Sequence, residues 1–116
     1  MNPPGLFKSK TPFEYLLDKL AEESSEIAQS VQKIKCFGIT TIHPRRGVSN
    51  LTELQMEVTD LVAVIRLLNS HLEKAGLQTI SLSDESGIQS KIQKISHFSN
   101  QSVSMGVLDS PITPPI

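Results

Sequence analysis

Apolar residues recur along two long stretches at the spacing of a helix, and no stretch alternates as a strand would. In the first stretch, Leu16, Leu17, Leu20, Ala21, Ile27, Ala28, Val31 and Ile34 share one arc of a helix that turns about 100° per residue. Thr11 suits its N-cap, Pro12 its first position and Glu14 the capping box, and Gly38 is its stop after Phe37. In the second stretch, Leu51, Leu54, Val58, Leu61, Val62, Val64, Ile65, Leu68 and Leu72 fill a broader arc. Ser49 or Asn50 caps this helix, which ends near Lys74-Ala75-Gly76. Ser83-Asp84-Glu85 opens a third helix, less apolar, that runs to about Ser99 with Ile88, Ile92 and Ile95 on one stripe. Residues 39–49, with His43-Pro44-Arg45-Arg46-Gly47, read as a loop. The pattern predicts an all-α fold of two long antiparallel helices and a shorter third. A flexible arm over 1–11 precedes the helical domain over 12–100. The proline-bearing tail over 101–116 is expected to hang free or to pack on a neighbour.

Carboxylates interrupt both arcs. On the first helix Glu22 lies about 240° from Leu16, opposite the apolar arc, and should face water. Glu23 lies at about 340°, on the lip of the apolar face, and Glu26 shares its side one turn on. On the second helix Glu57 falls inside the apolar arc and Asp60 falls between Val64 and Leu67. Acids hemmed in by Val and Leu must be paired, protonated or bound to a cation, because a bare buried charge is expensive. The nearest base on that helix, Arg66, points away. Glu53 shares the same side, as an outer ligand or as a first-turn acid that the helix dipole favours. Carboxylates from Glu23, Glu26, Glu57 and Asp60, converging from two helices, suit a hard divalent cation: Mg²⁺, with Mn²⁺ as a substitute.

Composition narrows the classes. The 116 residues make one domain. A net charge of −1 argues against a nucleic-acid-binding protein. The single cysteine, Cys36, excludes an intrachain disulfide, and with no visible signal peptide it points to the cytoplasm. The longest apolar run, Leu61 to Leu68, is broken by Arg66 and is too short to span a membrane. No P-loop motif is present, and one Cys with three scattered His does not make a zinc set. Met56, Ala63 and Leu67 face away from the main arc of the second helix. That surplus predicts a homodimer or homotetramer that completes the bundle. Phe37 reads first as a core plug at a helix end and second as a platform for a base.

The pattern E-x-x-E (Glu23, Glu26) on one helix and E-x-x-D (Glu57, Asp60) on the next resembles the MazG-like all-α nucleoside triphosphate pyrophosphohydrolases, in their short phage-type form. Lys33-Ile34-Lys35-Cys36-Phe37-Gly38, Asn50-Leu51 before Glu53, and Lys91 with Lys94 extend the likeness over roughly residues 13 to 100. Thr59 stands where many members have Gly or Ala, and Cys36 where many have Arg. The resemblance implies Mg²⁺-dependent hydrolysis of a nucleoside triphosphate, with a deoxynucleotide expected, to the monophosphate and pyrophosphate. It also implies Glu23 or Glu26 as general base, and triphosphate contacts from Lys33, Lys35, Arg45, Arg46, Lys91 or Lys94. The contrasting reading is a non-catalytic helical interaction module whose acids pair with Lys33 or Lys35 between helices.

Overall fold

The computed structural model describes residues 9–115; the arm expected over 1–11 therefore lies, up to residue 8, outside the described residues. The described residues form three helices: α1 (Pro12–Phe37), α2 (Asn50–Lys74) and α3 (Glu85–Ser104). Among the described residues there is no strand, only an isolated bridge between Ile42 and Ser49. The chain divides into two compact units, one ending at Ile80 and the other beginning at Ser81.

The capping signals act where the sequence puts them. The Thr11 hydroxyl oxygen accepts the Glu14 N–H at 3.1 Å and donates to the Glu14 carboxylate at 3.2 Å. The Ser49 hydroxyl accepts the Thr52 N–H at 3.1 Å and caps α2. At the far end of α1, Gly38 turns the chain with φ +99°, and its N–H donates to the Ile34 carbonyl at 2.8 Å. A side chain there would be strained by that φ and would crowd the Thr41 hydroxyl.

α1 and α2 pack antiparallel, since the start of α1 meets the end of α2 and the reverse. At one end Leu16, Val64 and Leu68 form a core with Phe13 and Leu20 against it. Leu68, 1% exposed, is worth about 1.5–3 kcal/mol by its burial. Phe13 approaches His71 at that end, with ring centroids 6.4 Å apart. At the other end Lys33 of α1 meets Glu53 of α2.

The helix pair buries less than the apolar arcs suggest. On α1, Leu16 is buried and Leu20, Ile27 and Ile34 are half-buried, while Leu17, Ala21, Ala28 and Val31 are exposed. The face turned to α2 is thus rotated toward Glu23, which sits in the middle of the contact rather than on its lip. On α2, Leu51, Val58, Met56, Ala63 and Leu67 are exposed.

The connection over 38–49 is tied rather than loose. His43 N–H donates to Val48 O at 3.0 Å, Asn50 N–H to Thr41 O at 2.9 Å, and the Asn50 amide to Gly38 O at 2.9 Å. After α2, Asn69 holds the returning chain: its side chain accepts Ile80 N–H at 2.7 Å and donates to Ile80 O at 2.8 Å.

The second unit differs from expectation in two ways. α3 continues past Ser99 to Ser104. The tail folds back on its own helix, where Ile112 N–H donates to the buried Ser99 hydroxyl at 2.8 Å, and that hydroxyl donates to Ser96 O at 2.7 Å. A face with serines at 96, 99 and 102 can accept a backbone that closely; the isoleucine stripe cannot, and Ile88 and Ile95 remain exposed.

Candidate functional site

The acids lie at the seam of α1 and α2, between the apolar core at one end and Lys33 at the other. Antiparallel packing sets Glu23, seven residues after Leu16, beside Glu57 and Asp60, which precede Val64 and Leu68 on the returning helix. Glu23, Glu57 and Asp60 each bring one carboxylate oxygen to within 4.8 Å of the others. Oxygen ligands on one divalent cation, at about 2.0–2.6 Å each, close such a spread. One oxygen of Glu23 and one of Glu57 are buried without any hydrogen-bond partner.

Glu26 adjoins this group. Burial, then the hydrogen bond and charge of Glu26, then Asp60 and Glu23, push the Glu57 carboxyl above its usual value of 4.5. Glu23 is raised in the same direction, first by loss of solvation and then by Glu26. Among the described residues no basic side chain pairs with Glu23, Glu26, Glu57 or Asp60. Like charges gathered without a counter-charge repel, and either protonation or a bound cation relieves them.

Asp60 departs from the sequence reading. It is exposed rather than enclosed by Val64 and Leu67, because it lies at the edge of the α2 face that α1 covers. Glu22 is exposed as expected, and pairs with Lys19 at 3.2 Å.

Glu53 is the residue whose role the sequence left open. It is 1% exposed, with Arg46 at 3.3 Å and Lys33 at 3.7 Å, and neither of its oxygens accepts a hydrogen bond. It therefore serves as the counter-charge that draws the loop and the end of α1 onto α2. Lys33 near the end of α1 and Arg46 in the connecting loop, both ahead of a first-turn acid, were the available signal, but only the antiparallel contact brings them to it.

The candidate phosphate contacts separate. Lys33 and Arg46 line a cavity of about 140 Å³ together with Glu26, Gln29, Ser30 and Glu57. Lys35 and Arg45 are exposed and belong to neither these ion pairs nor the cavity lining, and Lys91 and Lys94 are exposed on α3 in the other unit. His43, expected as a plain loop histidine, is half-buried, and its Nδ1 accepts the Arg45 and Arg46 N–H groups at 3.1 and 3.3 Å. Phe37 plugs no core: it is 68% exposed. Cys36 is an exposed free thiol, and no helix among the described residues is long and apolar enough to cross a membrane.

Comparison with protein-family models, with curated proteins and with solved structures gave no match to this chain.

Proposed function

We propose that this protein is a Mg²⁺-dependent nucleoside triphosphate pyrophosphohydrolase of the MazG-like kind, cleaving a nucleoside or deoxynucleoside triphosphate to the monophosphate and pyrophosphate. The observation that carries this reading is the convergence of Glu23, Glu57 and Asp60 from two helices, with two buried oxygens lacking partners. The family likeness of the E-x-x-E and E-x-x-D pair supplies the reaction class.

Glu23, Glu57 and Asp60, with Glu26 beside them, would hold the cation, and a donor set made only of carboxylate oxygens fits a hard ion. When bound, Mg²⁺ screens the phosphate oxygens and makes a bound water more acidic. Lys33 and Arg46, on the wall of the cavity that Glu26 and Glu57 share, set positive charge against the remaining oxygens of the triphosphate. Glu26 lies outside the closest triad but lines the same cavity, which favours it over Glu23 as the group that would take the proton of the attacking water. Lys35 and Arg45 do not line that cavity.

The reading includes a homodimer or homotetramer. Its support is the apolar surface left open on both helices: Leu17 and Val31 on α1, Leu51, Met56, Val58 and Leu67 on α2.

The interaction-module reading requires the seam acids to be ion-paired. The α1–α2 ion pair that exists uses Lys33 with Glu53 instead. Thermal unfolding with added Mg²⁺ separates the two. A metal-binding hydrolase gains stability by mass action on the native state, and an adaptor with paired acids does not respond.

A further inference from the structure

A second cavity, of about 340 Å³, lies between the end of α1 and the tied loop, walled by Phe37, Ile42, His43, Pro44 and Asn50, with Lys33 at its edge. Lys33 also lines the smaller cavity that holds Glu26, Arg46 and Glu57. An apolar slot and a charged pocket therefore meet at one lysine. A ligand filling both would have an anionic end and a flat, largely apolar end. A nucleotide has that form.

The slot has the parts that hold a base. Phe37 offers an aromatic face at 68% exposure, and Ile42, 60% exposed, adds an apolar wall. His43 Nδ1 already accepts two backbone N–H groups, which leaves the ring proton on Nε2 as a fixed donor. The walls are set in advance by the Asn50–Gly38, Asn50–Thr41 and His43–Val48 hydrogen bonds, so binding need not order the loop. Ligand pockets run from about 300 to 1,000 Å³, so this one takes a base and its sugar and little more. A broader groove of about 490 Å³ also touches Phe37, but its lining comes wholly from α1, and no second wall faces the ring.

We infer that the cavity between Phe37 and the Ile42–Pro44 turn is the nucleobase subsite: the base stacks on Phe37, lies against Ile42 and Pro44, and takes a hydrogen bond from His43 Nε2–H. This rests on the hydrolase reading above and names the part of the substrate that reading leaves unplaced.

The test titrates the full chain with a nucleoside, which has no phosphate, and separately with inorganic triphosphate and Mg²⁺, which has no base. NMR at the Ile42 methyl and the His43 ring reports the slot. The nucleoside is expected to move both signals, and Phe37→Ala, at an exposed position, to weaken that binding at least about fivefold, the low end for base stacking. Inorganic triphosphate is expected to leave both signals in place and to bind Phe37→Ala as it binds the parent. A nucleoside that moves neither signal, or that binds the Phe37→Ala protein unchanged, overturns the subsite. So does inorganic triphosphate seated at Ile42 and His43, or a second copy of the chain covering them. Failure of the hydrolase reading shows elsewhere, as the absence of pyrophosphate release from every triphosphate, and so is distinct from a failed nucleoside titration.

Discussion

The Arg46 guanidinium stands 3.3 Å from the carboxylate of Glu53, a charge buried to 1% exposure, while the guanidinium itself keeps half its contact with water. The pair is therefore unequal. Removing Arg46 leaves Glu53 buried with only Lys33, at 3.7 Å. Removing the Glu53 charge leaves two cations that water can reach. Arg46→Ala should cost about 1–3 kcal/mol in urea unfolding at fixed protein concentration, and Glu53→Gln should cost less. The reverse order would mean that the loop, not the buried carboxylate, sets the energy of this contact.

The raised carboxyls fix a pH dependence. Glu57 and Glu23 hold protons more tightly folded than unfolded, so the native state binds more protons above the ordinary value of 4.5. Stability of the metal-free protein must then fall as pH rises from about 4.5 through the folded pKa values. On the proposed reading Mg²⁺ binds the deprotonated acids, so its stabilising shift in Tm should grow across the same window. Thermal unfolding at several pH values, with and without Mg²⁺, measures both slopes. A Mg²⁺ shift that is flat with pH would place the ion on other groups.

Glu22 and Glu57 form an internal comparison. Glu22 is exposed and paired only with Lys19, so Glu22→Gln should stay within about 0.5 kcal/mol of the parent and keep its Mg²⁺ response. Glu57→Gln removes a half-buried carboxylate with an orphaned oxygen; it should raise the Tm of the metal-free protein and abolish the Mg²⁺ shift. Circular dichroism should show the same helix content in both. Equal Mg²⁺ responses in the two variants would contradict the seam site.

Local chemistry made the helices legible. Thr11, Pro12, Gly38, Ser49 and Asp84 each act at short range, and each stands where a helix begins or ends. Periodicity also set Glu57 on the buried side of α2 and Glu22 on the solvent side of α1. It failed where one arc had to serve more than one contact. The arc of α1 is wider than a single partner helix covers, so its centre misplaced the interface away from Glu23. Asp60 fell on the uncovered edge for the same reason. Glu53 stayed ambiguous because its partners, Lys33 and Arg46, come from a helix end and a loop whose approach only the antiparallel packing determines. The bend of the tail onto Ser99 is held by a hydrogen bond from Ile112 N–H to the Ser99 hydroxyl and has no periodic signature.

The uncovered part of that arc carries its own prediction. Helical phase puts Leu17, Ala21, Ala28 and Val31 of α1 on one side of the pair with Leu51 and Val58 of α2. A charge there should break association without touching the core. Light scattering at micromolar concentration should give at least twice the 12.7 kDa chain mass for the parent and a single-chain mass for Leu17→Glu. A compact monomeric parent would contradict the assembly.

Pyrophosphate release from a panel of nucleoside triphosphates, with and without Mg²⁺, tests the seam acids as the centre of a hydrolase most directly. The account predicts Mg²⁺-dependent release by the parent and by Glu22→Gln, with the nucleoside monophosphate as the other product, and none by Glu57→Gln. Turnover that survives in Glu57→Gln, or no release by the parent from any triphosphate, would contradict it.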